Sequence, residues 1–145
     1  MIGRRVALTG VGLVSPLGLN VRDTWDAILK GCSGVKLIKD FDVSNYATKF
    51  SASVSGFDPS RYFAAKESRK MDIFIQYGMV AGIEAMEDSG IEVSDSNSHR
   101  IGVAVGSGIG GIGQIEANRD ILNSSGPRRI SPFFVPGSII NMVSG

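Results

Sequence analysis

Few side chains in this sequence are equipped for covalent or metal chemistry. The chain has one cysteine, Cys32, and one histidine, His99, far apart in sequence. One histidine with one distant cysteine does not make a metal site. Cys32 has no neighbouring base and follows a helix stop, which reads as a packed or idle thiol rather than a nucleophile. His99 reads as a surface side chain. The spacing that does invite a ligand is the glycine cluster Gly106, Gly108, Gly110, Gly111 and Gly113, which follows a β-branched run at Ile101, Val103 and Val105. Glycine lacks a Cβ and tolerates positive φ, so the backbone there must pass close to something. A phosphate, an acyl chain or another piece of protein would each satisfy that requirement.

Gly106, Gly108 and Gly111 formally match a dinucleotide fingerprint, but that motif needs an acidic residue about 20 positions on, at the end of the next strand. The sequence there is GPRRISPFF, with no acid and no strand. TGVGLVSPLG near the start does not complete the spacing either. Ile112 follows Gly111 where a phosphate-binding loop of the Walker type needs lysine, and there is no Gly-x-Ser-x-Gly elbow. Two basic clusters remain. Arg61, Lys66, Arg69 and Lys70 surround the expected start of a long helix, where the dipole favours acids. Arg128 and Arg129 have no nearby carboxylate in sequence. Either cluster is a solvated face or a seat for an acidic partner.

The formal net charge is +1, so nothing pulls the whole chain toward nucleic acid or a membrane. A single cysteine excludes an internal disulfide framework and suits a reducing compartment. With no signal core and no apolar run of about 18 residues, the expectation is a cytoplasmic protein. The length of 145 residues is about one domain's worth.

Positioning falls to alternating strands and helices. Residues 6–9 read as a buried strand turned by Gly10 and Gly12. Asn20 caps a helix with Val21, Trp25, Ile28 and Leu29 on one face, closed by Gly31. Phe50, Ala52 and Val54 alternate as a half-buried strand or hairpin arm. Asp58-Pro59 opens a short helix. Met71, Phe74, Ile75, Gly78, Met79, Gly82, Ile83 and Met86 predict a helix over residues 68–89. Its two internal glycines each cost about 1 kcal/mol of propensity, which predicts close packing at both. A second strand covers residues 101–105, and a third helix runs over 113–123 to Gly126-Pro127. Ser131 caps a final apolar segment. This alternation predicts an α/β sheet, yet only two strands look fit for its centre. Together with the apolar ending, that predicts part of a longer protein with apolar surface left uncovered, in a patch beyond ~300–600 Å².

The strings RRVALTGVGLVSPLG, FDVSNYATKF, SRKMDIFIQYG, AMEDSG, GSGIGG and PRRISPFFVPGSIINMVSG together resemble the amino-terminal part of the elongating β-ketoacyl-[acyl-carrier-protein] synthases of type II fatty-acid synthesis. The resemblance is collinear from Arg4 to Gly145 and covers roughly the first third of such an enzyme. It implies an α/β, thiolase-like fold present as an incomplete amino-terminal half. Residues 1–145 are then the amino-terminal part of a ketoacyl synthase domain, with the remainder outside this chain. The implied reaction is decarboxylative Claisen condensation on a cysteine thioester, aided by two histidines and a lysine.

On this resemblance none of those catalytic groups is present, since Cys32 and His99 do not match them, and the chain alone is expected to be inactive. No cofactor and no metal is implied. Ile109, beside Gly108 in the GSGIGG turn, matches the gating position of the acyl pocket. Phe134 matches a pocket-lining aromatic that reaches in from the neighbouring subunit of an obligate homodimer. Plain core packing would explain both residues equally. Lys66, Arg69, Lys70, Arg128 and Arg129 match the basic patch for acyl-carrier protein, in its acyl and malonyl forms. Gly137 stands where the family leads one to expect a small hydroxyl residue, which would loosen the following helix start. Other readings stay open: a non-catalytic partner subunit of the chain-length-factor kind, a dimerisation and carrier-docking piece only, or a Rossmann-type nucleotide-binding module.

Overall fold

A computed structural model describes residues 3–145. The chain divides into two compact units, one formed by the first part of the chain to Phe57 with Ala81–Gly90, the other by Asp58–Val80 with Ile91–Gly145. The helix signals of the sequence are met closely. In the first unit, α1 (Val21–Leu29) is capped by Asn20, whose side chain accepts the Asp23 N–H at 2.8 Å, and Gly31 ends it at φ +66°. A two-residue antiparallel ladder, β1 (Lys36–Leu37) with β2 (Phe50–Ser51), forms the expected hairpin arm in abbreviated form. The apolar stripe of α1, however, is uncovered. Trp25 and Leu29 are exposed, and the buried residue is Thr24, whose hydroxyl lies 2.9 Å from that of Ser15. Cys32 is exposed rather than packed.

Residues 6–9 and 101–105 are not strands. They join no ladder, because a strand exists only through a neighbour's N–H and C=O groups, and among the described residues the only ladder is β1–β2. Val6 is 93% and Leu8 84% exposed, with Val103 at 67%. The buried positions expected there are therefore open in this chain.

What holds the segment after residue 9 is a set of carboxylates on α3 (Ile73–Ser89), whose last part belongs to this unit. Asp88 Oδ2 accepts the Val11 N–H at 2.9 Å. Glu84 Oε2 accepts that of Leu13 at 2.8 Å, and its Oε1 accepts that of Val21 at 2.8 Å. The approach is tight enough that a Cβ on Gly12 would stand 1.8 Å from the Ala81 carbonyl oxygen.

In the second unit the 3₁₀ turn Pro59–Arg61 starts at Asp58, as its Asp-Pro signal predicts. The long helix is broken. α2 (Ala65–Ser68) is separate from α3, and the intervening turn is held by Gln76, whose side-chain amide donates to the Ser68 and Met71 carbonyls at 3.0 Å each. Gly78 packs closely, with its missing Cβ 2.5 Å from Val143, whereas Gly82 has nothing within 4 Å and does not bear out the packing expected of it. α4 (Ile112–Ser125) ends at Gly126 with φ +79°, and α5 (Phe134–Ser138) follows after a 3₁₀ turn at Pro127–Arg129. Ile75 and Val80 form the buried apolar core of this unit.

Two outcomes follow. Glu84→Ala removes the acceptor of two backbone amides and should cost about 1–3 kcal/mol, with Glu84→Gln between it and the wild type. An unchanged denaturation midpoint in Glu84→Ala would contradict the clamp. The Asp58 carboxyl is held below the usual carboxylate range by the Ser60 hydroxyl and then the Ser60 N–H. A depressed folded value stabilises above the unfolded carboxylate range, and that gain disappears as pH falls through the lowered value. The Ser60 amide resonance should therefore shift through that acidic window, and Asp58→Ala should abolish the shift.

Candidate functional site

The glycine cluster splits into a packed half and an open half. A Cβ on Gly110, at φ +83°, would lie 2.6 Å from the Ser138 carbonyl oxygen. One on Gly111 would lie 2.7 Å from Ser138 Cα and 2.9 Å from Asp72 Oδ2. The Gly111 N–H donates to the Ser138 carbonyl at 2.8 Å. Here the close approach is to the same protein. Gly106 and Gly108, by contrast, have no atom within 4 Å of where a Cβ would stand. Ile109 sits beside them 68% exposed, and the Ser107 hydroxyl accepts the Gly110 N–H at 3.1 Å to close the turn.

The amino terminus of α4 is already occupied by an anion of the chain itself. Gly111 offers no capping side chain, and Asp72 Oδ2 accepts the Gln114 N–H at 3.0 Å. A pyrophosphate bound there would have to displace a carboxylate or sit beside a like charge. The geometry thus works against the dinucleotide reading of this turn.

The turn is fastened to the element that carries Phe134. Phe134 is half-buried at the start of α5, and its carbonyl accepts the Ser138 hydroxyl at 2.6 Å. Gly110 and Gly111 meet Ser138 directly, so Gly108, Ile109 and Phe134 lie on two elements in contact. Gly137 is buried inside α5, and a Cβ there would stand 2.7 Å from the Lys70 carbonyl and 2.8 Å from Gln114 Oε1. Its small size admits close contact instead of loosening a helix start. The neighbouring Phe133 was not singled out in the sequence. It lies under Lys70, with Nζ 5.4 Å from the ring centroid, and lines a cavity of about 210 Å³ with Ile75, Met79, Pro136 and Met142. Neither Ile109 nor Phe134 lines that cavity.

The basic residues do not all stand alike. Lys66, Arg69, Arg128 and Arg129 are exposed and make no ion pair among the described residues. Lys70 is half-buried and bonded to Glu67 at 2.7 Å, so part of its charge is compensated. The conflict with the helix dipole is reduced, because α3 begins only at Ile73 and the basic residues lie outside its first turn. His99 is exposed in the 3₁₀ turn Ser98–Arg100 of the second unit, whereas Cys32 belongs to the first. Among the described residues no group of three His, Cys, Asp or Glu side chains could hold a metal ion. Among the described residues no helix is long and apolar enough to cross a membrane.

Gly111→Ala should lose about 1–3 kcal/mol by overpacking, while Gly106→Ala should stay within ~0.5 kcal/mol. Equal denaturation midpoints for the two variants would erase the distinction between the halves.

Comparison with known proteins gives a consistent picture. The chain is 52% identical over 145 residues to the 3-oxoacyl-[acyl-carrier-protein] synthase 2 of Vibrio cholerae, covering all of this chain and 35% of that protein. It is 54% identical over 142 residues to the enzyme of the same name from Coxiella burnetii, covering 98% and 34%. The chain thus spans about a third of the length of these curated relatives. Among solved structures it is similar, at TM-score 0.75 and 25% identity over 95% of its length and 36% of the other chain, to a type II polyketide ketosynthase bound to a hexaketide and in complex with its acyl-carrier protein. A β-ketoacyl synthase from Burkholderia phymatum matches at TM-score 0.74 and 24% identity, over 94% and 34% of the two chains. The fold is accordingly the thiolase-like α/β fold of ketosynthases, of which about a third is spanned here. The family model described as the β-ketoacyl synthase amino-terminal domain matches residues 3–145, and the chain belongs to that family.

Proposed function

We propose that this chain serves fatty-acid elongation as the amino-terminal part of a 3-oxoacyl-[acyl-carrier-protein] synthase domain, occupying residues 1–145. In that reaction a malonyl thioester loses CO2, and the carbanion left at its α-carbon attacks the carbonyl carbon of an enzyme-bound acyl thioester. A carbon–carbon bond forms and the enzyme thiolate departs. Cys32 is exposed in one unit and His99 in the other, and neither is assigned to that chemistry. The nucleophile is supplied by polypeptide outside these residues. This chain supplies pocket wall and docking surface, in a soluble homodimer.

The observation that carries the reading is the divided glycine turn. Its packed half anchors to Ser138, while its open half presents Ile109 between positions that have no side chains. A branched residue on an anchored but uncrowded turn is suited to gating an acyl chain, with Phe134 on the adjoining helix reaching toward the pocket of the neighbouring subunit in the homodimer. The four unpaired cations Lys66, Arg69, Arg128 and Arg129, with Lys70 beside them in sequence, suit the acidic surface of an acyl-carrier protein. The solved ketosynthase held by its acyl-carrier protein supports that partnership. Exposed ion pairs contribute only about 0–1 kcal/mol each, so docking should be weak, fast and salt-sensitive.

The test is condensation by the full-length protein with acyl- and malonyl-carrier substrates. Ile109→Phe should lower kcat/KM for long acyl chains by roughly tenfold while sparing short ones, about the 1–3 kcal/mol that a change of pocket volume commands. Lys66→Glu with Arg69→Glu should weaken carrier binding by about tenfold at low salt, and less at high salt. Absence of condensation, or saturable micromolar binding of a nicotinamide dinucleotide instead, would overturn the reading.

A further inference from the structure

We infer that Asp72 is a positioning residue which locks the Ile109 turn to the Phe134 helix and so sets which acyl chains the pocket admits. The inference rests on the acyl-pocket reading above. Asp72 is 8% exposed, a buried carboxylate that the condensation chemistry does not use. It touches both elements. Its Oδ2 accepts the Gln114 N–H at 3.0 Å, from the first turn of α4, immediately after the glycine turn. Its own N–H donates to the Gly137 carbonyl at 3.2 Å, within α5. Its carbonyl accepts the N–H groups of Ile75 and Gln76, which ties it to the start of α3.

The glycine turn and α5 therefore share one fixed point. A carboxylate at a helix amino terminus is favoured by the free N–H groups and the dipole, so the bond to Gln114 is charge-assisted. Gly111 makes the approach feasible, since a Cβ there would lie 2.9 Å from the same Oδ2. The third contact closes the triangle, with the Gly111 N–H on the Ser138 carbonyl at 2.8 Å. Ile109 lies two residues from Gly111, and Phe134 is bonded through its carbonyl to Ser138. Neither pocket residue touches Asp72 in these contacts. Its influence on them runs through the backbone of the turn and of α5.

The experiment uses full-length protein with Asp72→Ala and Asp72→Asn, measuring kcat/KM for a long and a short acyl-carrier substrate and amide hydrogen exchange at Gly111 and Gln114. Asp72→Ala should speed exchange at both amides and move the long-to-short ratio by roughly tenfold or more, since a displacement of about 1 Å in a positioning element costs up to ~100-fold. Asp72→Asn keeps an acceptor oxygen of the same reach and should hold the ratio within about threefold of the wild type. Should Asp72→Ala not fold, Gly111→Ala pushes the turn off the same oxygen and should move the ratio in its place. A ratio left unchanged while activity falls equally on every chain length overturns the inference and marks Asp72 as merely structural. So does an Asp72→Asn variant as altered as Asp72→Ala. Lack of condensation by the wild type overturns the acyl-pocket reading and this inference together, whereas an unchanged ratio overturns this inference alone.

Discussion

Backbone N–H groups without a ladder or an intrahelical partner are costly to leave unbonded, and in this chain carboxylates carried on or beside α3 accept four of them. Glu84 and Asp88 hold the amides of Val11, Leu13 and Val21 in the first unit. Asp72, just ahead of the same helix, holds the Gln114 amide in the second. Each is a charge-assisted bond from an acceptor with two oxygens, so one side chain can fix two points of a loop, as Glu84 does. Around these anchors many apolar side chains stay exposed. The helix supplies the order that a ladder supplies elsewhere.

The same constraint explains how the glycines are distributed. A loop that must bring its N–H to a helical carboxylate runs close to the helix backbone, and a Cβ on the near side is excluded. Gly10 and Gly12 meet Ser89, Ala85 and Ala81 in this way, and Gly111 meets Asp72 and Ser138. Gly106 and Gly108 meet no such demand among the described residues, where no atom lies within 4 Å of a would-be Cβ. That contrast, inside one cluster of five glycines, is what separates anchor from opening.

How much of this was legible in the sequence follows from how local each signal is. Asn20 as a cap, Gly31 and Gly126 as stops and Asp58-Pro59 as a start are decided by neighbours a few residues away, and all four stand as read. Residues 6–9 and 101–105 carry a strand pattern, but a strand is a property of two segments, and no partner is found among the described residues. The expected start at residue 68 lies ahead of α3, which begins at Ile73, because the apolar repeat opens at Met71 and does not mark where the helix itself starts. What interrupts the helix is the Gln76 side chain taking the Ser68 and Met71 carbonyls, a contact that periodicity does not encode. The site residues came from family resemblance. The contact between their two elements came only from the fold, because Asp72 and Gln114 lie 42 positions apart. Phe133 could have been suspected from its place beside Phe134, yet nothing in the sequence says that Lys70 lies over its ring.

The exposed apolar residues carry the last step. Val6, Leu8, Val103 and Ile109 are among the most exposed side chains of their type here, and three of the four lie in stretches that join no ladder. Apolar side chains left open in a stretch without a ladder are what a strand pattern shows when its neighbours are elsewhere. Ile109 differs, because its turn is closed by Ser107 and anchored at Ser138, so its exposure does not come from want of a ladder. The two kinds of exposure call for two kinds of cover. An extended stretch asks for backbone and side chains together, as another strand provides, whereas a closed turn asks only for something apolar to lie against.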